Sequence, residues 1–164
     1  PKIVIGCVDS RKARREIDIA VRRCRNVLYH LDIGNEEHTG QVILGEPPGS
    51  RVYSHDMPRL PMVTELFPEL MDAKTPEAVT HSCSLRISLQ SQGLFINDMG
   101  TRCAAQLLYM LFTKATLKVH GALFNTDAMR VLPLEIRRTT WQRFGFETEA
   151  PRPDQAPAAA LRAA

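Results

Sequence analysis

A carboxylate follows the first apolar run of the sequence, and an arginine stands five positions after it. Residues 2–8 are mostly apolar and β-branched, and the run ends at Asp9, which is followed by Ser10 and Arg14. A short apolar run with polar residues at its ends is typical of a strand that is buried on both faces, as in a parallel α/β sheet. Ligands of such sheets bind beyond the carboxyl ends of the strands, so the pattern predicts Asp9 at a ligand-binding edge.

Asp9 has two interpretations. A helix is predicted after it, because apolar residues recur at helical spacing at Ala13, Ile17, Ala20, Val21 and Cys24. Either Asp9 or Ser10 can cap this helix, and capping is then the whole role of the acid. In the second interpretation Asp9 is a ligand residue, because Arg14 lies in the second helical turn, near enough to share an anionic ligand or its bound cation.

Cys83 is a second candidate for chemistry. Ser82 or Ser84 can cap a helix that runs to about residue 92, which puts Cys83 at or beside a helix N-terminus. The helix dipole and the free amide groups of such a position favour a nucleophilic thiolate. A lone cysteine is also commonly a small buried hydrophobic residue, and the position alone leaves both interpretations open.

Short strands alternate with amphipathic helices, which predicts an α/β fold. After the first strand, strands are predicted over residues 26–32 and 41–45, with a loop over 33–40 between them, and a final hairpin over 118–124 and 129–136 turns at Asn125-Thr126-Asp127-Ala128. A helix is predicted over residues 97–112. Its apolar face contains Ala104, Leu107, Leu108 and Leu111, and Tyr109 and Phe112 are expected to widen that face within the core.

Two parts of the chain, in its middle and at its end, are rich in proline and lack the pattern of a helix or strand. Residues 46–61 contain four prolines and lack a helical or strand period, so they are predicted to form a long connection, within a crossover segment of about residues 46–80. A short helix is expected over 62–71, broken or begun again near Pro68. We expect one domain over 1–149 and a Pro/Ala-rich tail over 150–164.

The bulk composition excludes several classes of protein. A net charge of +3 with only 6% aromatic residues argues against a nucleic-acid-binding role. Four cysteines without a Cys-x-x-Cys pair favour a reduced, cytoplasmic protein without structural zinc. No apolar run approaches the roughly 20 residues that span a bilayer, so no membrane partner is expected. The sequence starts at Pro1, directly before a predicted core strand, and we expect either a processed chain or a missing upstream segment.

Several sequence blocks, taken in order over roughly residues 3–136, form a recognisable set. They are Val8-Asp9-Ser10-Arg11-Lys12-Ala13-Arg14, Tyr29-His30-Leu31-Asp32-Ile33-Gly34-Asn35, Thr39-Gly40-Gln41-Val42, Leu60-Pro61, Phe67-Pro68-Glu69-Leu70, Ser82-Cys83-Ser84-Leu85, Gln92-Gly93-Leu94-Phe95-Ile96-Asn97 and His120-Gly121-Ala122-Leu123-Phe124-Asn125. With these blocks the chain resembles the ThiF/MoeB/HesA family of adenylating proteins, which are related to ubiquitin-activating enzymes, and within it the PRTRC-system branch.

The resemblance implies a Rossmann-like mixed sheet and a role for each candidate residue. Asp9 is expected to bind the Mg²⁺ that accompanies ATP, with Ser10 and Arg14 near the phosphates, and Cys83 to accept the activated carboxyl-terminal glycine as a thioester. The implied partners are a small ubiquitin-like protein, a conjugating-enzyme-like protein and a second copy of the chain. The sequence contains no Gly-x-Gly-x-x-Gly loop, so the chain is expected to be the carboxyl-terminal portion of an adenylation domain and to be inactive alone.

Two other functions remain open at this point. The chain can be a binding or assembly module of the same family that docks a partner without turnover, which the missing phosphate loop favours. It can also be a flavodoxin-like or other Rossmann-type binder of a small molecule, which accounts for the α/β pattern alone.

Overall fold

The computed structural model describes residues 2–49, 58–72, 93–114 and 116–147. Within them the strands are Lys2–Gly6 (β1), Val27–Asn35 (β2), Thr39–Gly45 (β3), Val119–Asn125 (β4) and Arg130–Glu135 (β5). The helices are Arg11–Arg23 (α1), Val63–Leu66 (α2), Ile96–Lys114 (α3) and Arg138–Gln142 (α4), and Pro68–Met71 forms a 3₁₀ helix after α2. None of the helices in these ranges has the length and apolar character to cross a membrane.

The strands form one mixed sheet in the order β1-β2-β3-β4-β5. β1 and β2 are parallel and are connected through α1, whereas the other neighbouring strands are antiparallel. This arrangement confirms the predicted α/β class and is consistent with a Rossmann-like fold. It also confirms the final hairpin, in which β4 and β5 pair on either side of the turn at residues 126–129.

The second strand is longer than the sequence predicts. Residues 33–35 were expected to begin a loop, but they belong to β2, because Ile33 pairs with Val42 and Gly34 with Gln41. The loop therefore spans only residues 36–38, and β2 and β3 form a tight hairpin. Glycine is usually weak in a strand, but here the ladder between the two strands continues through Gly34.

β1 differs from the expected buried strand. The described residues give it a neighbour on one side only, so it forms an edge of the sheet. Ile5 is 52% exposed, whereas Val4, on the opposite face, packs beside Ile17 of α1. The expectation of burial on both faces is therefore wrong for β1, because among the described residues α1 covers one face only.

Two layers of helices cover opposite faces of the sheet. Successive residues of a strand point to opposite faces, and in β3 this places Val42 and Leu44 under α3, and Ile43 under α2 and α4. The first cluster contains Leu31, Val42, Leu44, Ile96, Ala104, Leu107 and Phe124. The second contains Ile43, Leu60, Val63, Leu66, Leu134 and Trp141, and α1 packs beside it through Val21.

The helix predicted over residues 97–112 is confirmed as α3, but part of its predicted core face is exposed. Ala104 and Leu107 are buried against the sheet as expected. Tyr109 and Phe112, which were expected to widen this face, are 56% and 71% exposed. At 100° per residue, Tyr109 lies 140° around the helix from Ala104, so it points away from the sheet.

Arg59 connects the described parts of the crossover segment to each other by hydrogen bonds. Its guanidinium donates two hydrogen bonds of 2.8 Å to the Glu65 carboxylate and a third, also of 2.8 Å, to the Glu46 carbonyl. The described part of the segment includes α2 and the 3₁₀ helix at Pro68, which confirms the predicted break in the helix over 62–71. The rest of the crossover segment, the helix predicted near Ser82 and the tail lie outside the described residues.

A buried histidine links β4 to α4. His120 Nδ1 lies 3.0 Å from the Leu44 carbonyl oxygen, and Trp141 Nε1 donates to His120 Nε2 at 2.8 Å. A carbonyl only accepts and an indole N–H only donates, so the ring is neutral with its proton on Nδ1. Burial lowers the pKa of His120 to about 4, although the Leu44 carbonyl acts in the opposite direction.

This histidine makes stability depend on pH. Between pH 6.5 and about 4 the unfolded chain protonates at this position while folded His120 stays neutral, so stability is lost as the pH falls through that window. At about 1.4 kcal/mol per pKa unit, we expect a loss of roughly 2–3 kcal/mol between pH 7 and 4.5, measured by urea denaturation. His120→Gln should remove the part of the loss that His120 causes and leave the part due to His30, whose pKa burial also lowers, whereas His38→Gln, at an exposed site, should retain the whole loss. Equal losses in wild type and His120→Gln would contradict the assignment.

Candidate functional site

A cavity opens where the carboxyl ends of β1 and β2 meet the first turns of α3. Its volume is about 310 Å³. The end of β2 and Phe124 of β4 provide its floor, and the turn after β1 provides one wall. The lining residues are Cys7, Val8, Asp9, Ile33, Gly34, Asn35, Ile96, Asn97, Gly100, Thr101 and Phe124. This is the edge at which α/β sheets bind their ligands.

Asp9 lies in the turn between β1 and α1, with its side chain exposed at the cavity. Its neighbour Ser10 is the residue that caps α1, since Ser10 Oγ accepts a hydrogen bond of 3.1 Å from the Ala13 amide. Of the two residues that could cap the helix, Ser10 therefore does so. The carboxylate of Asp9 is left at the cavity wall.

Arg14 is in the second turn of α1, as the spacing predicts, but it points into the protein. Its side chain is 7% exposed and forms an ion pair with Asp32, in which Nε donates to Oδ1 at 2.9 Å. Nη2 donates to the Val8 carbonyl at 2.8 Å. The guanidinium is thus bound to groups of the protein itself, and Arg14 does not line the cavity.

Asp32, the partner of Arg14 in this ion pair, lies on β2, the strand next to the edge strand β1. It lies opposite Gly6 of β1, and its side chain is 1% exposed. Burial raises the pKa of Asp32, whereas the Arg14 guanidinium and the side chain of Gln41 act to lower it. The buried carboxylate depends on these partners, because an isolated ionised carboxylate is costly to bury.

Gly34 provides the space in which Arg14 lies. A Cβ atom at this position would come within 2.5 Å of Arg14 Nη2 and of Gln41 Nε2. A side chain at this position would displace the ends of both groups from their places beside Asp32. Asp32, Gly34 and Gln41 therefore enclose the guanidinium, and we refer to these three residues with Arg14 as the Arg14 cradle.

A second polar cluster lies further along α1. Arg22 Nε donates to Asp18 Oδ2 at 2.6 Å, and Thr64 on α2 donates to the other oxygen of Asp18. His30 is buried beside these groups, and its pKa is lowered by burial while Asp32 and Asp18 act to raise it. No sequence motif indicates a function for these residues, and the contacts of Asp18 and Arg22 connect α1 to α2 rather than to the cavity.

The thiols have different positions relative to this site. Cys83, the predicted nucleophile, lies outside the described residues. Cys7 is a free, exposed cysteine that lines the cavity two positions before Asp9. Cys7 was not predicted as a site residue, although its place near the end of the first apolar run is a signal for this edge of the sheet.

The donor set of the cavity suits one kind of metal ion. Among the described residues, no group of three or more His, Cys, Asp and Glu side chains could hold a metal ion. Asp9 supplies a single carboxylate, with neutral oxygen donors on Asn35 and Thr101 in the same lining. Mg²⁺ is commonly held by one or two carboxylates while water and substrate phosphates complete its shell, so Asp9 fits Mg²⁺, or Mn²⁺ in its place, with water in the shell until a nucleotide binds.

Comparison of the sequence with known proteins gives no family. No protein-family model matches the chain, and no curated protein matches it either. The resemblance to the ThiF/MoeB/HesA family therefore stays a prediction.

Proposed function

We propose that the chain is part of a cytoplasmic, ATP-dependent adenylating enzyme that activates the carboxyl-terminal carboxylate of a small ubiquitin-like protein. The observation that carries this proposal is the exposed carboxylate of Asp9 in a cavity at the carboxyl ends of two parallel strands. The order of the sequence motifs supports the same function. A fold alone does not define a reaction, and the proposal therefore depends on the chemistry of this cavity.

The reaction transfers an adenylyl group. An oxygen of the acyl carboxylate attacks the α-phosphorus of ATP, the bond from that phosphorus to the bridging oxygen breaks, and pyrophosphate leaves. When bound, Mg²⁺ neutralises the charge that develops on the phosphates. Asp9 holds this ion at the cavity wall, and the Ser10 hydroxyl retains a proton that it can donate to a phosphate oxygen while it caps α1.

Arg14 has a different role from the one that its spacing suggests. In the proposed enzyme it does not bind phosphate from α1, because its guanidinium is engaged by Asp32 and by the Val8 carbonyl. Groups outside the described cavity lining must then bind the phosphates. Cys83 as thioester acceptor, a conjugating-enzyme-like partner and a homodimer belong to the same proposal.

Exchange of pyrophosphate tests the reaction. We expect the complete enzyme, supplied with the ubiquitin-like protein and Mg-ATP, to incorporate labelled pyrophosphate into ATP. The exchange should need the partner's terminal carboxylate, since a partner with an amidated terminus cannot attack phosphorus. Absence of exchange with a partner that binds the enzyme would overturn the proposal.

A non-catalytic docking module is the second candidate. The observation that favours it is that no lysine or arginine is present among the described residues of the cavity lining, although phosphate sites commonly use them. Calorimetry of this chain with Mg-ATP bears on both candidates. We expect no binding at micromolar concentrations from the chain alone, and micromolar affinity would exclude the docking module and show a complete nucleotide site.

A further inference from the structure

The turn that presents Asp9 is fixed on both sides of that residue. On one side the Val8 carbonyl accepts a hydrogen bond of 2.8 Å from Arg14 Nη2. On the other side Ser10 is tied to α1, because its Oγ accepts from the Ala13 amide and its carbonyl accepts from the Arg14 amide at 3.1 Å. Asp9 itself is exposed, so its direction depends on these two attachments.

The first attachment is built from residues far apart in the sequence. Asp32 binds the Nε edge of the guanidinium, which leaves Nη2 directed at the Val8 carbonyl. Gly34 keeps the position beside Nη2 free of a side chain. A planar guanidinium with donors in a fixed fork can join a carboxylate and a carbonyl in this way, whereas the single ammonium of a lysine cannot reproduce the geometry.

We propose that Arg14 is a positioning residue for Asp9: the Arg14 cradle fixes the Val8 carbonyl and thereby the direction in which the Asp9 carboxylate enters the cavity. This inference rests on the proposed role of Asp9 as the magnesium ligand. It explains why an acid and an arginine five positions apart belong to one site although only the acid lines the cavity. It also gives Asp32 and Gln41 a role at a cavity that they do not line, and gives Gly34, which lines the cavity, a second role beside the guanidinium.

The test combines an amide spectrum with metal binding, both on the full 164-residue chain. The Asp9 amide nitrogen belongs to the same peptide group as the Val8 carbonyl, so its ¹H–¹⁵N signal reports the hydrogen bond from Arg14. Mn²⁺ serves as the probe of the metal site, and its affinity is measured from the broadening of signals around Asp9. Two variants disturb the cradle: Arg14→Gln removes the fork, and Gly34→Ala retains Arg14 but fills its space.

Arg22→Gln is the matched control. Arg22 lies on the same helix and also pairs through Nε with a buried carboxylate, that of Asp18, but it does not reach the Asp9 turn. We expect both cradle variants to move the Asp9 signal and to weaken Mn²⁺ binding roughly 10-fold or more, as the loss of an outer-shell partner commonly does. The control should leave both quantities unchanged even if it lowers stability.

Two results would overturn the positioning role: an unmoved Asp9 signal in folded Gly34→Ala, or equal changes in Arg22→Gln. If Arg14→Gln does not fold, Arg14→Lys decides the matter, because it keeps the buried charge, lies outside the cavity lining and cannot reproduce the fork. Failure of the proposed function is distinguishable, because wild type would then show no Mn²⁺ broadening near Asp9 while the shift of the Asp9 signal still reports the cradle.

Discussion

Asp32→Ala is expected to lower the free energy of unfolding by about 3–5 kcal/mol, because it leaves the buried guanidinium of Arg14 without its carboxylate. Both partners are almost fully buried, with side chains 7% and 1% exposed, so solvent screens the pair little. The loss is measured by urea denaturation at pH 7. The exposed pair Asp98–Arg102 on α3 provides the comparison, and Asp98→Ala should cost less than about 1 kcal/mol.

A double variant separates the two possible reasons for such a loss. Arg14→Met with Asp32→Leu removes both charges and retains much of the buried volume, so it should be considerably more stable than Asp32→Ala alone. That result would assign the cost to the uncompensated charge. A loss in Asp32→Ala no larger than that in Asp98→Ala would contradict the account of Arg14 as a buried ion-pair residue.

Asp9→Asn in the complete enzyme is expected to lower pyrophosphate exchange about 100-fold or more. A carboxylate that holds a metal against developing phosphate charge supplies several kcal/mol in the transition state, and about 3 kcal/mol corresponds to a factor of about 100. The amide keeps the size and the turn, so the change tests charge alone. Stability should be unaffected because Asp9 is exposed.

Asp98→Asn is the matched control for this variant. Asp98 is another exposed acid near the cavity, in the first turn of α3, but it pairs with Arg102 and does not line the cavity. We expect Asp98→Asn to retain full exchange. Undiminished exchange in Asp9→Asn would remove the metal-binding role of Asp9, and an equal loss in both variants would point to a general electrostatic effect.

The sequence predicts the local parts of the site well. The capping of α1 depends on residues within three positions of one another, and the structure confirms Ser10 in that role. The spacing from Asp9 to Arg14 likewise gives the correct helical turn. The direction of Arg14 could not be predicted, because it depends on Asp32, which becomes its neighbour only when β2 pairs with β1.

Two errors in the predicted elements have the same kind of cause. The glycines of residues 33–40 suggested a loop, but at Gly34 the missing side chain makes room for Arg14 inside a strand. The apolar Tyr109 and Phe112 suggested core, but the sheet covers only one side of α3. In both places the outcome depends on groups distant in sequence, which periodicity and composition do not contain.

The central claim is that Asp9 holds the metal ion, and paramagnetic broadening by Mn²⁺ tests it most directly. In ¹H–¹⁵N spectra of this chain, with Mn²⁺ added to a small fraction of the protein concentration, we predict broadening of the amides of residues 7–10, 34–35 and 96–101, which surround the cavity. Asp9→Asn should abolish that pattern, and Asp98→Asn should retain it. Broadening centred on other acids, or the same pattern in Asp9→Asn, would contradict the account.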